Sequence, residues 1–144
     1  MTIEFLWQWT GTGLLVASCV WALWRGGAPE RWGAAILFIA FGLTMLVQTQ
    51  HLYRVGAVLD YILVDVAGLI AFVILSLWSR RIWTIFISAF QLNAVVSHFV
   101  GRLSSHVDMY TLITALGLWG GYGITFALMA GMWTVERTRL QAKA

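Results

Sequence analysis

The sequence predicts an all-α polytopic membrane protein, a bundle of five transmembrane helices with the N-terminus outside and the C-terminus cytoplasmic. Three observations predict it. Five apolar stretches reach or approach the ~20 residues that cross a hydrocarbon core. Of the 144 residues, 60% are hydrophobic and 10% charged, whereas a soluble domain typically carries about 25% charged residues. Lys and Arg gather in alternate connections, as the positive-inside rule requires. The chain reads as one transmembrane domain, residues 1–144, because no connection is long enough to hold a soluble one.

The first span, residues 5–24, contains a run of small residues, Gly11-Thr12-Gly13 with Ala17, and the single cysteine, Cys19. A disulfide within the chain is therefore excluded. Val16-Ala17-Ser18-Cys19 resembles a bacterial lipobox. The stretch before it lacks a basic region and carries Glu4, and the stretch after it stays apolar. The expectation is a buried, hydrophobe-like cysteine.

The second span, residues 32–50, follows a connection from Arg25 to Arg31 that holds Gly26-Gly27 and the only proline, Pro29. The third, residues 57–78, carries Asp60 near its start and Asp65 about two turns into the span. The connection 79–82 is so short that spans three and four must form an antiparallel hairpin.

The fourth span, residues 83–100, is polar, with Gln91, Asn93, Ser97 and His98. Charge counting decides whether it crosses. With five crossings and the N-terminus outside, the cytoplasmic side receives Arg25, Arg31, Arg80, Arg81, Arg137, Arg139 and Lys143, and the outer side Arg54 and Arg102, seven against two. Without the fourth crossing the count becomes five against four, so five crossings are favoured.

The fifth span, residues 109–133, contains Gly117-Leu-Trp-Gly120-Gly121-Tyr-Gly123. Gly117 and Gly121 form a GxxxG pair that Thr125 extends, a stripe expected to pack closely on another helix. Four glycines within seven residues also invite a kink. The tail after Glu136 reads as an amphiphilic helix end directed at anionic headgroups.

Aromatic placement agrees with this layout. Trp21, Trp24, Trp32, Trp78, Trp83 and Trp133 fall at the inner boundary, and Trp7, Trp9, Tyr53, Tyr61 and Tyr110 at or near the outer one, where amphipathic rings anchor. Trp119 and Tyr122 lie at mid-depth. The formal net charge of +3 is explained by the topology-setting bases, so nucleic acid is not an expected partner.

Two groups of residues offer chemistry. His51, His98 and His106 fall on the outer side with Glu4, Asp60, Asp65 and Asp108, a set able to relay protons or hold a transition metal. Asp65 is the most embedded acid, and a carboxylate at that depth must face protein or a wet cavity. Its candidate partners on the adjacent span are His98, Asn93 and Arg102. Asp60 lies five residues away, about 140° around the helix, so the two acids cannot share a site. Along the fourth span, Ser88, Gln91 and His98 share one face, while Asn93 and Ser97 share another. His51 with His98 is the one pair that offers haem ligation.

No Gly-x-Ser-x-Gly elbow, phosphate loop or repeat is present, and the chain is not expected to be an enzyme. The sequence points first to an accessory subunit of a larger membrane complex. Its partners would be lipids and other integral subunits or further copies of itself, in a bacterial cytoplasmic membrane. The alternative is an oligomeric proton or metal-cation transporter or channel using Asp65, His98, His51 and Asn93. A haem-binding redox subunit is the second alternative. No cofactor is demanded by the motifs.

Overall fold

The computed structural model describes residues 3–51, 58–103 and 108–142; side chains at 3–5, 8, 50, 51, 58, 102 and 109 lie outside that description. The described chain is all-helical. The helices are α1 (Ile3–Arg25), α2 (Ala28–His51), α3 (Val58–Ser79), α4 (Ile82–Leu103), α5 (Met109–Leu116) and α6 (Ile124–Gln141). A π-helical segment, Gly117–Gly123, joins the last two into one continuous rod.

Four of these rods are long and apolar enough to cross a membrane: Ala28–Thr49, Leu59–Ser79, Ile82–Gly101 and Tyr110–Gln141. At 23 residues, α1 has the length. Its first half carries Trp7, Gln8, Trp9, Thr10 and Thr12, and it is not among these four. It packs against α2 and α6, while α4 touches α3, α5, the π segment and α6 and so holds the bundle together.

Both short connections are tighter than the sequence suggests, or as tight. Pro29 sits inside the first turn of α2, where its missing N–H costs no helical bond, so the link from α1 shrinks to Gly26-Gly27. Gly26 has no room for a Cβ, which would strike the Ala22 carbonyl and Glu30. Between α3 and α4, Arg80 takes a left-handed φ of 52° and its N–H reaches the Ser76 carbonyl at 3.0 Å. This is a helix-ending turn in which a non-glycine residue carries the strain.

The core lies toward the end of the bundle that holds these two connections. Phe72, Ile87, Ile124, Leu128 and Met132 are fully enclosed, with Cys19, Ala22 and Ala34 filling the gaps. Trp83 departs from its expected place as a headgroup anchor. It is 6% exposed, and its indole is slotted between two glycine backbones. A Cβ on Gly33 would come within 2.8 Å of the ring's Cη2, and one on Gly131 within 2.8 Å of Cγ and Cδ2. Trp24, Trp32, Trp78 and Trp133 are exposed, as anchors should be.

Among the described residues, Gly117 and Gly121 make no tight approach to another helix of the chain. Gly121 has nothing within 4 Å of a Cβ position, and Gly117 meets Trp7 Nε1 at 3.6 Å. The close approach to α4 is made by Gly120, 3.3 Å from the Ala94 Cβ, and Gly123, 3.0 Å from Phe90. Trp119 stacks on Phe90 nearby, with ring centroids 5.9 Å apart. Thr125 is buried and spends its hydroxyl on the Gly121 carbonyl at 2.8 Å. A π-helical turn occupies the stretch where the glycines invite a kink, and its wider turn shifts the helix face relative to an unbroken α-helix.

Candidate functional site

The α3–α4 hairpin brings the embedded acid opposite two residues of the polar span. Asp65 Oδ2 lies 2.7 Å from His98 Nε2. Gln91 Nε2 donates to Asp65 Oδ1 at 2.9 Å and to the Asp65 backbone carbonyl at 3.0 Å. Gln91 and His98 are seven residues apart and share one face of α4, so an antiparallel partner can present one carboxylate to both. Gly68, one turn along α3 from Asp65, lets Gln91 lie close: a Cβ there would be 3.4 Å from Nε2.

Both carboxylate oxygens are thus occupied. The side chain of His98 is 11% exposed and that of Asp65 27%. A carboxylate in this setting is stabilised by paired, hydrogen-bonded neighbours rather than by water. The pair forms part of the wall of a half-open cavity of about 330 Å³ among the helices. That size falls in the usual range for small-molecule sites.

The remaining wall is mostly apolar. Phe72 closes the cavity toward the core; Gly11 and Thr12 of α1 and Thr44 of α2 line its sides. The π segment contributes Gly117, Gly120, Gly121 and Tyr122, so three glycines in one wall leave space that side chains would fill. Tyr122 is fixed there by its hydroxyl, which donates to the Trp7 carbonyl at 2.7 Å, and by ring contact with Trp7 at 4.4 Å between centroids.

The residues singled out from sequence separate clearly. Asp65 and His98 meet. Asn93 does not join them: it is exposed, on the opposite side of α4 from Gln91. Two residues along a helix turn it by about 200°, which places Asn93 away from α3. The His51 side chain, His106 and Arg102 lie outside the described residues, so the haem pair and the wider histidine cluster rest on residues without described side chains. Asp60 and Asp108 are exposed. Among the described residues, no three His, Cys, Asp or Glu side chains gather as a metal-binding group. Gln91 is the site residue that sequence reasoning placed on the right face without assigning it to Asp65. Its seven-residue spacing from His98 was the available signal.

A second buried charge lies at the opposite end. Glu30, in the first turn of α2, is fully enclosed. Trp83 Nε1 donates to its Oε1 at 3.2 Å, and Arg81 Nη1 stands 3.4 Å from the same oxygen. Oε2 has no hydrogen-bond partner among the described residues. Beside it, Arg25 Nε lies 3.0 Å from Glu136 Oε1, a charge contact without an aligned hydrogen bond. These groups join helix ends.

Four apolar helices in an all-helical fold give the chain the character of an integral membrane protein, with the acid–imidazole pair on the wall of a half-open cavity. No protein-family model, no curated protein and no solved structure matches it.

Proposed function

We propose that this chain is a small proton-exchanging membrane protein working through the Asp65–His98 pair. It would cross a bacterial cytoplasmic membrane five times, N-terminus outside, and carry out no enzymatic turnover. The observation that carries the reading is the 2.7 Å contact of an imidazole with a carboxylate on a cavity wall. Together the two side chains hold one exchangeable proton. With it they form the ion pair Asp65⁻/His98⁺, net neutral. Without it they carry one negative charge facing the cavity, which draws the next cation in. Gln91 holds the carboxylate in place through either state, since its amide reaches Oδ1 and the backbone rather than the oxygen shared with His98. Intramembrane acids and histidines serve proton relays in this manner.

The test is flux. Purified protein in liposomes loaded with a pH-sensitive dye receives an external acid pulse. The wild type should acidify the lumen faster than empty vesicles, and Asp65→Asn should fall to the empty-vesicle rate while keeping its helical content. Equal flux in both proteins overturns the proposal.

A second reading, an accessory subunit of a larger membrane assembly, is favoured by one separate observation: the Asn93 amide lies exposed halfway along a helix that should face lipid.

A further inference from the structure

We propose that α4 is the seam of a parallel homodimer, closed by a hydrogen bond between the Asn93 side chains of two copies. The inference goes beyond the accessory-subunit reading by naming the occupant, and it does not depend on proton exchange at Asp65.

Asn93 stands eleven residues after Ile82 and ten before Leu103, the ends of α4. It is therefore near the middle of a rod long enough to span a membrane. Its side chain is exposed and makes no hydrogen bond with any described residue. Hydroxyls in the spans avoid this problem by bonding the preceding turn: Thr44 to the Ala40 carbonyl, Ser88 to Thr84, Ser97 to Asn93. The Asn93 amide has no such bond, and hydrocarbon offers neither donor nor acceptor. An unsatisfied amide there costs several kcal/mol.

The surface around it has a defined pattern. Ile82, Phe86, Ala89, Asn93, Val96 and Val100 are all exposed and follow one another at spacings of four and three. This is the a/d seam of a heptad, with Asn93 at an a position, where a single asparagine selects register and partner number. The other face of α4, with Ile87, Gln91 and Ala94, is committed to the bundle. Ala89, one turn from Asn93, admits close approach of a second backbone.

Three considerations identify the second helix as another copy of this one. A carboxamide is its own complement, donating through the nitrogen and accepting through the oxygen. A two-fold axis therefore satisfies both amides with two reciprocal bonds. The seven-to-two bias of Lys and Arg directs every copy to one orientation, and two α4 helices related by an axis along the membrane normal then run parallel. Equal depth then places each Asn93 opposite the other without adjustment.

The experiment uses the full chain in native membranes, with Cys19→Ser as background and one new cysteine per variant. Ala89→Cys and Val96→Cys on the seam should form disulfide-linked dimers under mild oxidation. Ile74→Cys, on the exposed face of α3, should not. In parallel, fluorescence energy transfer in vesicles of increasing lipid content reports the dimerisation constant. Asn93→Leu should weaken it about 3- to 20-fold, the range of interhelical hydrogen bonds in membranes. Cross-linking from Ile74 but not the seam, an unchanged constant in Asn93→Leu, or a cross-linked product of other mass than two chains each overturns the homodimer. The Asn93 side chain makes no hydrogen bond with any described residue, and its backbone carbonyl can keep the Ser97 bond whatever the side chain, so Asn93→Leu should retain the helical content, and the cysteine pairs read the seam without altering Asn93. A monomeric protein with normal proton flux overturns this inference alone; a seam dimer without flux overturns only the proton reading.

Discussion

The indole of Trp83 donates its N–H to Glu30 Oε1 across 3.2 Å, tying the first turn of α4 to the first turn of α2. Both groups are buried, so neither can turn to water. Trp83→Phe should lower stability by about 1.5–3 kcal/mol, the usual worth of a hydrogen bond to a charged group, read as a lower Tm in detergent. Glu30→Gln keeps an acceptor for the indole and gives up the Arg81 contact, which is half solvent-exposed. Its loss should be the smaller of the two.

The glycines flanking that indole should be intolerant of any side chain. Gly33→Ala and Gly131→Ala each place a Cβ 2.8 Å from a fixed ring. Overpacking of this kind costs about 1–3 kcal/mol. Gly13 and Gly42 have nothing within 4 Å and lie in helix interiors. Alanine at either should be neutral or stabilising by up to about 1 kcal/mol, because it removes backbone freedom from the unfolded chain. Thermal melts of the four variants in one detergent separate the two classes.

Removing the amide that holds Asp65 should expose the cost of a half-satisfied carboxylate. Gln91→Leu leaves Oδ1 and a backbone carbonyl without their donor, a penalty of about 1–3 kcal/mol. The double variant Asp65→Asn/Gln91→Leu should lose less than the two single losses combined, since the residues share one network. Additive losses in a double-mutant cycle would show that Gln91 does not support the carboxylate.

Orientation is open to direct labelling. In a Cys19→Ser background, Asp108→Cys should react with a membrane-impermeant maleimide in intact cells. Arg137→Cys should react only after permeabilisation. The reverse pattern would invert the proposed topology, and labelling of both from one side would mean that the last rod does not cross.

Much of this architecture was legible because lipid imposes simple rules. Length and apolarity located the first four rods within about four residues and the start of the fifth, which runs eight residues beyond its expected end at 133; the seven-residue step from Gln91 to His98 marked the face that meets Asp65. Asn93 had the right chemistry but the wrong azimuth, and its two-residue offset from Gln91 already placed it elsewhere. Trp83 was read as an anchor from its place near a helix start. Its burial depends on Gly33 and Gly131, residues fifty and forty-eight positions away, a coincidence that local sequence cannot reveal. The π segment was equally hidden. Glycine-rich composition signals a weak point in a helix without saying whether it bends or widens; here it is a π turn, with Ala94 and Phe90 of α4 close against Gly120 and Gly123.

The glycines of that segment have one more consequence. The cavity beside Asp65 and His98 is shaped on this side by atoms that are absent, and Gly121 looks into open space. Alanine, then valine, at that single position would shrink the chamber in steps while leaving the carboxylate and imidazole untouched. The wall thus serves as a caliper: the substituent at which binding or flux stops measures the girth of whatever passes.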